Sequence, residues 1–176
     1  MKCIPAFTLS FLISALILNQ GCKPKLQQKG LVYVNDFENM KGWSPKINLT
    51  KFPVFEGTYA GKVDTAHAFG PTLQIRFDEI SPLPVRKLKY SMWIYLKSSE
   101  AKGKIVASIE GPDHKSVYWD AQHIQDAIKE SGKWIEMKGE FEMGKNNSAQ
   151  NIISIYPWST AKEEFYVDNI RIEFVL

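Results

Sequence analysis

Cysteine is almost missing from this chain. The 176 residues hold two, Cys3 and Cys22, both near the start. Beyond Cys22 there is no thiol, which excludes a disulfide framework and any zinc–thiolate site. An excess of one charge is missing as well. Lys and Arg number 22 against 19 Asp and Glu, evenly scattered, so no basic stripe marks a nucleic-acid partner. No apolar run reaches the ~20 residues of a membrane-spanning helix. His67, His114 and His123 show no metal-ligand spacing. Catalytic signatures are absent too: there is no G-x-S-x-G and no H-E-x-x-H. A glycosidase needs two carboxyls at a set separation across a cleft. "GEFE" (139–142) and "KEE" (162–164) read instead as alternating charge on exposed strands. An enzyme is not expected.

What is there begins with a leader. After the basic Lys2, residues 4–18, "IPAFTLSFLISALIL", are apolar apart from Thr8, Ser10 and Ser14, the pattern of a secretory signal. "LNQGC" (18–22) then resembles the lipobox of bacterial lipoproteins, with Gly21 before Cys22; Asn19 departs from the apolar residue usual there. The resemblance implies a signal peptide over 1–21, a lipid on Cys22 and a tether over 22–30, with "KPKLQQKG" (23–30) as its basic part. It also implies attachment at the cell envelope, at the outer membrane, with the face left open. Membrane contact is then expected through the lipid anchor only.

Residues 31–176 read as one domain, long enough for a single core. Strand-like runs recur between turn signals: 31–38, 72–80, 87–97, 104–110, 115–121, 133–143, 151–158 and 165–174, with shorter pieces near 52–55 and 59–63. Only 121–131, "AQHIQDAIKES", reads as a helix. Many short strands at regular spacing predict an all-β sandwich or barrel, with an antiparallel two-sheet jelly roll as the best fit.

Four motifs then line up in order. "NDFENMKGW" (35–43), "YSMWIYLKS" (90–98), "SGKWIEMKGEFEM" (131–143) and "FYVDNIRIEF" (165–174) resemble the opening, middle and closing strands of jelly-roll carbohydrate-binding modules, galactose-binding-like β-sandwiches. The chain is similar to small Bacteroidetes lipoproteins built from one such domain. The resemblance implies a structural calcium between the first and last strands, held by Glu38 and Asp168 with backbone carbonyls, and Asp36 and Asp64 as further candidates. Calcium takes six to eight oxygens. Without calcium, Asp168 would cap a turn or pair with a lysine such as Lys62.

Alternation assigns faces. In 88–96, Leu88, Tyr90, Met92, Ile94 and Leu96 form the core side, and Trp93 and Tyr95 share the other with Lys89, Ser91 and Lys97. In 152–158, Tyr156 and Trp158 share a face with Ile152 and Ser154, opposite Ile153 and Ile155. Sugars stack an apolar C–H face on such rings, so Trp93, Tyr95, Tyr156 and Trp158 are glycan-binding candidates, lining one groove if their strands share a sheet. Tyr118 and Trp119, beside Asp120, Gln122 and His123, are two more. Trp43 and Trp134 follow Gly-containing turns and read as structural. The expected function is a non-catalytic, lipid-anchored module binding a polysaccharide or oligosaccharide. The alternatives are a structural or protein-interaction subunit of an envelope complex, and, further off, a small glycan lyase or hydrolase.

Overall fold

The computed structural model describes residues 31–40, 42–44, 48–144 and 148–176. The leader, the lipobox with Cys22 and the tether lie outside the described residues. Among the described residues no helix is long and apolar enough to cross a membrane.

The described residues form ten strands and two single-turn helices, in order β1 (Val32–Asn35), β2 (Asn48–Thr50), β3 (Ala60–Val63), β4 (Leu73–Arg76), α1 (Phe77–Ile80), β5 (Lys87–Leu96), β6 (Gly103–Glu110), β7 (Ser116–His123), α2 (Ile124–Ala127), β8 (Trp134–Glu142), β9 (Ile152–Ser159) and β10 (Phe165–Val175). They form two antiparallel sheets. Sheet A runs β2-β3-β10-β5-β8, with β1 also on β10; sheet B runs β4-β9-β6-β7. This is the expected all-β sandwich.

Period-two patterning builds it. Along β5, buried Leu88, Tyr90, Met92, Ile94 and Leu96 alternate with more exposed neighbours, and β9 alternates in the same way. These residues meet Ile105, Ala107 and Ile109 of β6, Phe141 of β8 and Phe165, Ile172 and Phe174 of β10 in one core. At one open side of the sandwich Gln122 joins the sheets: its amide donates to the Glu140 carbonyl of β8 and accepts the Tyr90 hydroxyl of β5. Gly139 makes room, because a Cβ there would collide with both Gln122 and Tyr90.

Local departures have local causes. The 72–80 run is a strand only to Arg76; Phe77 and Ile80, three apart and both buried, close one helical turn instead. The expected helix over 121–131 shrinks to Ile124–Ala127, because β7 stays paired with β6 through His123. Residues 52–55 lie in the β2–β3 loop rather than in a strand.

β10 explains the odd "VDN". Its lower half pairs with β3 through Phe165, Tyr166 and Val167, and its upper half pairs with β1 from Ile170 to Glu173. Between them its register with β5 shifts from Asp168 to Arg171, and Asn169 takes φ 44°. Asn is among the residues that tolerate this left-handed region. Asp168 therefore sits in a bulge where one strand partner ends and the next has not begun.

Candidate functional site

Asp168 is fully buried, and the bulge leaves it facing the β2–β3 loop. Its carboxylate accepts backbone N–H groups from Phe55 at 3.0 Å, Glu56 at 3.4 Å and Asn169 at 2.8 Å. Glu38, just past β1, grips the same loop: Oε1 accepts the N–H groups of Thr58 at 2.7 Å and Tyr59 at 2.9 Å. Gly57 adopts φ 76°, and a Cβ there would strike the Glu38 carboxylate. The Asn169 amide adds a bond to Glu56 at 2.9 Å. Two carboxylates thus hold four amides of one loop onto sheet A.

Burial pushes the Asp168 carboxyl above the usual carboxylate range, against the pull of its backbone donors, and the nearby Glu38 charge adds to the push. Among the described residues neither carboxylate has an ion-pair partner. Lys62, the lysine considered for Asp168, instead contacts Glu164 and Asp64. Asp64 accepts from His67 and Asn48 as well, and Asp36 caps its own turn through the Glu38 and Asn39 N–H groups. Among the described residues no three His, Cys, Asp or Glu side chains converge.

The aromatic candidates divide between the two outer faces. β5 belongs to sheet A and β9 to sheet B, so Trp93 and Tyr95 cannot share a groove with Tyr156 and Trp158. That expectation fails because sheet order, which local alternation does not carry, decides which strands adjoin.

On sheet A the rings are engaged with one another. Tyr166, Tyr95 and Trp134 stand in register across β10, β5 and β8, with centroids 5.9 and 5.6 Å apart. Phe55, delivered by the clamped loop, lies flat on Trp93 and edges Trp134 at 6.1 Å. Trp134, expected to be structural, packs half-buried against Tyr95 and Phe55. Trp43 is buried, and its indole N–H donates to the Val34 carbonyl at 3.2 Å. At the foot of the cluster Glu164 accepts from Lys62, Lys97 and Tyr166; burial works against its charge, but these three contacts outweigh it and bring the carboxyl down to about 2. Elsewhere on sheet A a hollow of about 620 Å³ is lined by Lys89, Lys138, Arg171, Glu136, Glu140 and Glu173. Two ion pairs lie within it, Lys138–Glu136 and Arg171–Glu173, and Tyr90, packed in the core, is the one aromatic residue of its lining.

On sheet B the rings are partly open: Tyr156 and Trp158 are half-buried, while Phe69 and Trp119 stand out into solvent. Trp158 and Tyr156 stand two positions apart on β9, and Phe69, bridged to Trp158, approaches both at 6.0 and 5.6 Å. Across the sheet, Trp158 pairs with Lys104 of β6 and Lys104 with His123 of β7. Two rows along, Gln74, Ser154, Ser108 and Trp119 form a second line of neighbours. Phe69 is 58% exposed and Trp119 51%, so their faces are available to a ligand. Tyr118 points the other way: it pairs with Ile109, packs against the core and bonds Asp120 at 3.3 Å. Burial, then Asp120, pushes its phenol up to about 12.

Sequence reasoning missed Phe55, Phe69, Tyr166 and Lys104. Phe55 and Phe69 lie in loops, where no periodicity marks a face. Lys104 shares strand parity with Val106 and Ser108, a signal that was legible but bland.

No family model and no curated protein matches this sequence. Solved structures do. The CBM22-1 xylan-binding domain from Paenibacillus barcinonensis Xyn10C superposes over 84% of this chain and 96% of its own, with TM-score 0.59 and 18% identity. The C-terminal family 22 carbohydrate binding module of Clostridium thermocellum Xyn10B covers 81% and 91%, with TM-score 0.58 and 13% identity. A further xylan-binding domain from CBM 22 covers 84% and 96%, with TM-score 0.57 and 11% identity. This chain therefore has the β-sandwich jelly-roll fold of carbohydrate-binding modules.

Proposed function

We propose that the protein is a non-catalytic glycan-binding module, carried by a lipid on Cys22 in the bacterial cell envelope at the outer membrane. The carrying observation is the aromatic stripe of Phe69, Tyr156, Trp158 and Trp119 on sheet B, exposed at Phe69 and Trp119 and flanked by Gln74, Ser154 and Ser108. Flat rings offer stacking surface, and neighbouring amides and hydroxyls supply the few oriented polar contacts that a ligand site needs. The neighbours named as xylan-binding domains make a β-linked polysaccharide such as xylan the first ligand to try. The stacked rings of sheet A serve the fold instead, since Phe55 already covers Trp93.

Calcium belongs to the same proposal. A buried carboxylate without a cationic partner, its proton affinity raised by burial and by Glu38, is chemically suited to a hard divalent cation. Asp168 and Glu38 would hold it, and bound calcium would supply the positive charge that the two carboxylates lack. The residues themselves tie loop 55–59 to β10.

The test is affinity electrophoresis in gels containing soluble xylan. The wild type should be retarded, and Trp158→Ala and Trp119→Ala should each lose retardation while melting close to the wild type. Absence of retardation by xylan and by other β-glucans would turn the reading toward an interaction subunit.

A further inference from the structure

The proposed glycan face of sheet B carries a cation between two of its indoles. Lys104 Nζ stands 5.5 Å from the Trp158 ring centroid and 5.7 Å from that of Trp119. Both distances are within cation–π range. Among the described residues Lys104 makes no salt bridge, unlike Lys62, Lys87, Lys97, Lys115, Lys133 and Lys138. The carboxylate on its own strand face, Glu110, lies six residues along β6, about 20 Å away at strand rise. Asp120 has the opposite parity on β7, with Tyr118.

Two indole faces position this ammonium but leave it without a counter-charge. Cation–π contacts satisfy part of its electrostatics and none of its hydrogen-bond donors, of which an ammonium has three. The rings on either side are those on which the proposed ligand stacks. A sugar spanning Trp158 and Trp119 therefore passes over a lysine that still seeks an oxyanion.

We propose that this face selects an acidic glycan, one whose uronic-acid carboxylate pairs with Lys104 while neighbouring sugars stack on Trp158 and Trp119. The inference rests on the glycan-binding reading and sharpens it from a polysaccharide to an anionic one. Neutral chains would bind by stacking alone. Uronate-bearing chains would add a charge-assisted hydrogen bond.

The test compares glucuronoxylan with the same polymer after chemical reduction of its carboxyl groups, by titration calorimetry on the full chain in mild detergent. The wild type should bind the acidic form about ten-fold tighter, the ratio expected for one hydrogen bond to a charged group. That ratio should shrink as salt rises and the Debye length falls from about 10 Å at 0.1 M toward about 3 Å at 1 M. Lys104→Met keeps an unbranched side chain and removes the charge, so its ratio should fall to near one. Lys89→Met, on the outer face of sheet A, should keep the wild-type ratio, which separates a located site from diffuse attraction by a positive protein. Melting curves of both variants establish that they are folded. Equal binding of both polymers by the wild type, or an unchanged ratio in Lys104→Met, overturns the acidic preference while leaving glycan binding intact. Binding of neither polymer overturns both.

Discussion

Phe55 lies on Trp93 with ring centroids 3.8 Å apart and planes 14° from parallel. The contact joins a loop to the middle of sheet A, and it occupies the indole face that a sugar would need. Trp158 differs in degree: Phe69 runs nearly parallel to it at 17°, but with centroids 6.0 Å apart rather than 3.8 Å, and Phe69 is itself 58% exposed. Trp93→Ala should therefore lower stability by about 1–3 kcal/mol, the ordinary range for losing packed surface, with glycan affinity retained. Trp158→Ala should do the reverse. Chemical unfolding and affinity electrophoresis, run side by side on both variants, check the pair. A stable Trp93 variant that no longer binds would move the site to sheet A.

Asp168→Ala removes the acceptor for the Phe55, Glu56 and Asn169 amides. These donors are only part-buried, so water takes over part of the pairing and the total loss should stay within the about 1–3 kcal/mol of one unpaired buried donor. The loop should open, and amide exchange at Phe55 and Glu56 should accelerate far more than at β5. Calcium adds a second readout. If calcium binds the folded state alone, it stabilises by mass action, so chelator should lower the melting temperature of the wild type and leave that of Asp168→Ala unmoved. A wild type indifferent to chelator rejects the metal and keeps the clamp.

Acid titration separates two carboxylates of opposite behaviour. Glu164 is held at about 2 in the fold against its ordinary 4.5, burial being outweighed by Lys62, Lys97 and Tyr166. A depressed folded-state value means that the unfolded chain takes the proton more readily. Its contribution is full above about pH 4.5 and drains away as pH falls toward about 2. Asp168, raised by burial, has the opposite sign: folding favours its proton, so acid relieves it. Glu164→Gln should flatten the loss of stability in urea between about pH 5 and pH 2. An acid limb as steep as that of the wild type would show that Glu164 does not carry it.

Gly139→Ala tests the joint between the sheets. Its Cβ would meet Gln122 Oε1 and the Tyr90 hydroxyl, so the Tyr90–Gln122 bond must break or the strands shift. A loss of about 1–3 kcal/mol is expected for leaving these half-buried groups unpaired. Pairing it with Gln122→Ala in a double-mutant cycle should give a combined loss smaller than the sum, because both changes remove one contact. Full additivity would place the cost of Gly139→Ala elsewhere.

The sequence by itself determined the class of fold and the inward face of each long strand. Alternation in β5 and β9 is a local consequence of pleating, so Leu88 to Leu96 and Ile153 to Ile155 were legible without any neighbour. The closeness of the first and last strands, β1 and β10, was legible through the family resemblance that their motifs carry. The "VDN" stretch announced itself as an anomaly, a carboxylate in an apolar strand. Tertiary structure alone decided what those features are for. Whether two outward aromatic pairs share a surface depends on sheet order, which put Trp93 and Trp158 on opposite outer faces. Whether a ring is a platform depends on what a distant loop lays upon it, and Phe55 covers Trp93 because Asp168 and Glu38, far apart in sequence, grip the same loop. Lys104 between two indoles belongs to the same kind of fact. Its neighbours come from two other strands, β7 and β9, and their meeting is a property of the folded sheet, set by long-range pairing that no local stretch of the sequence encodes.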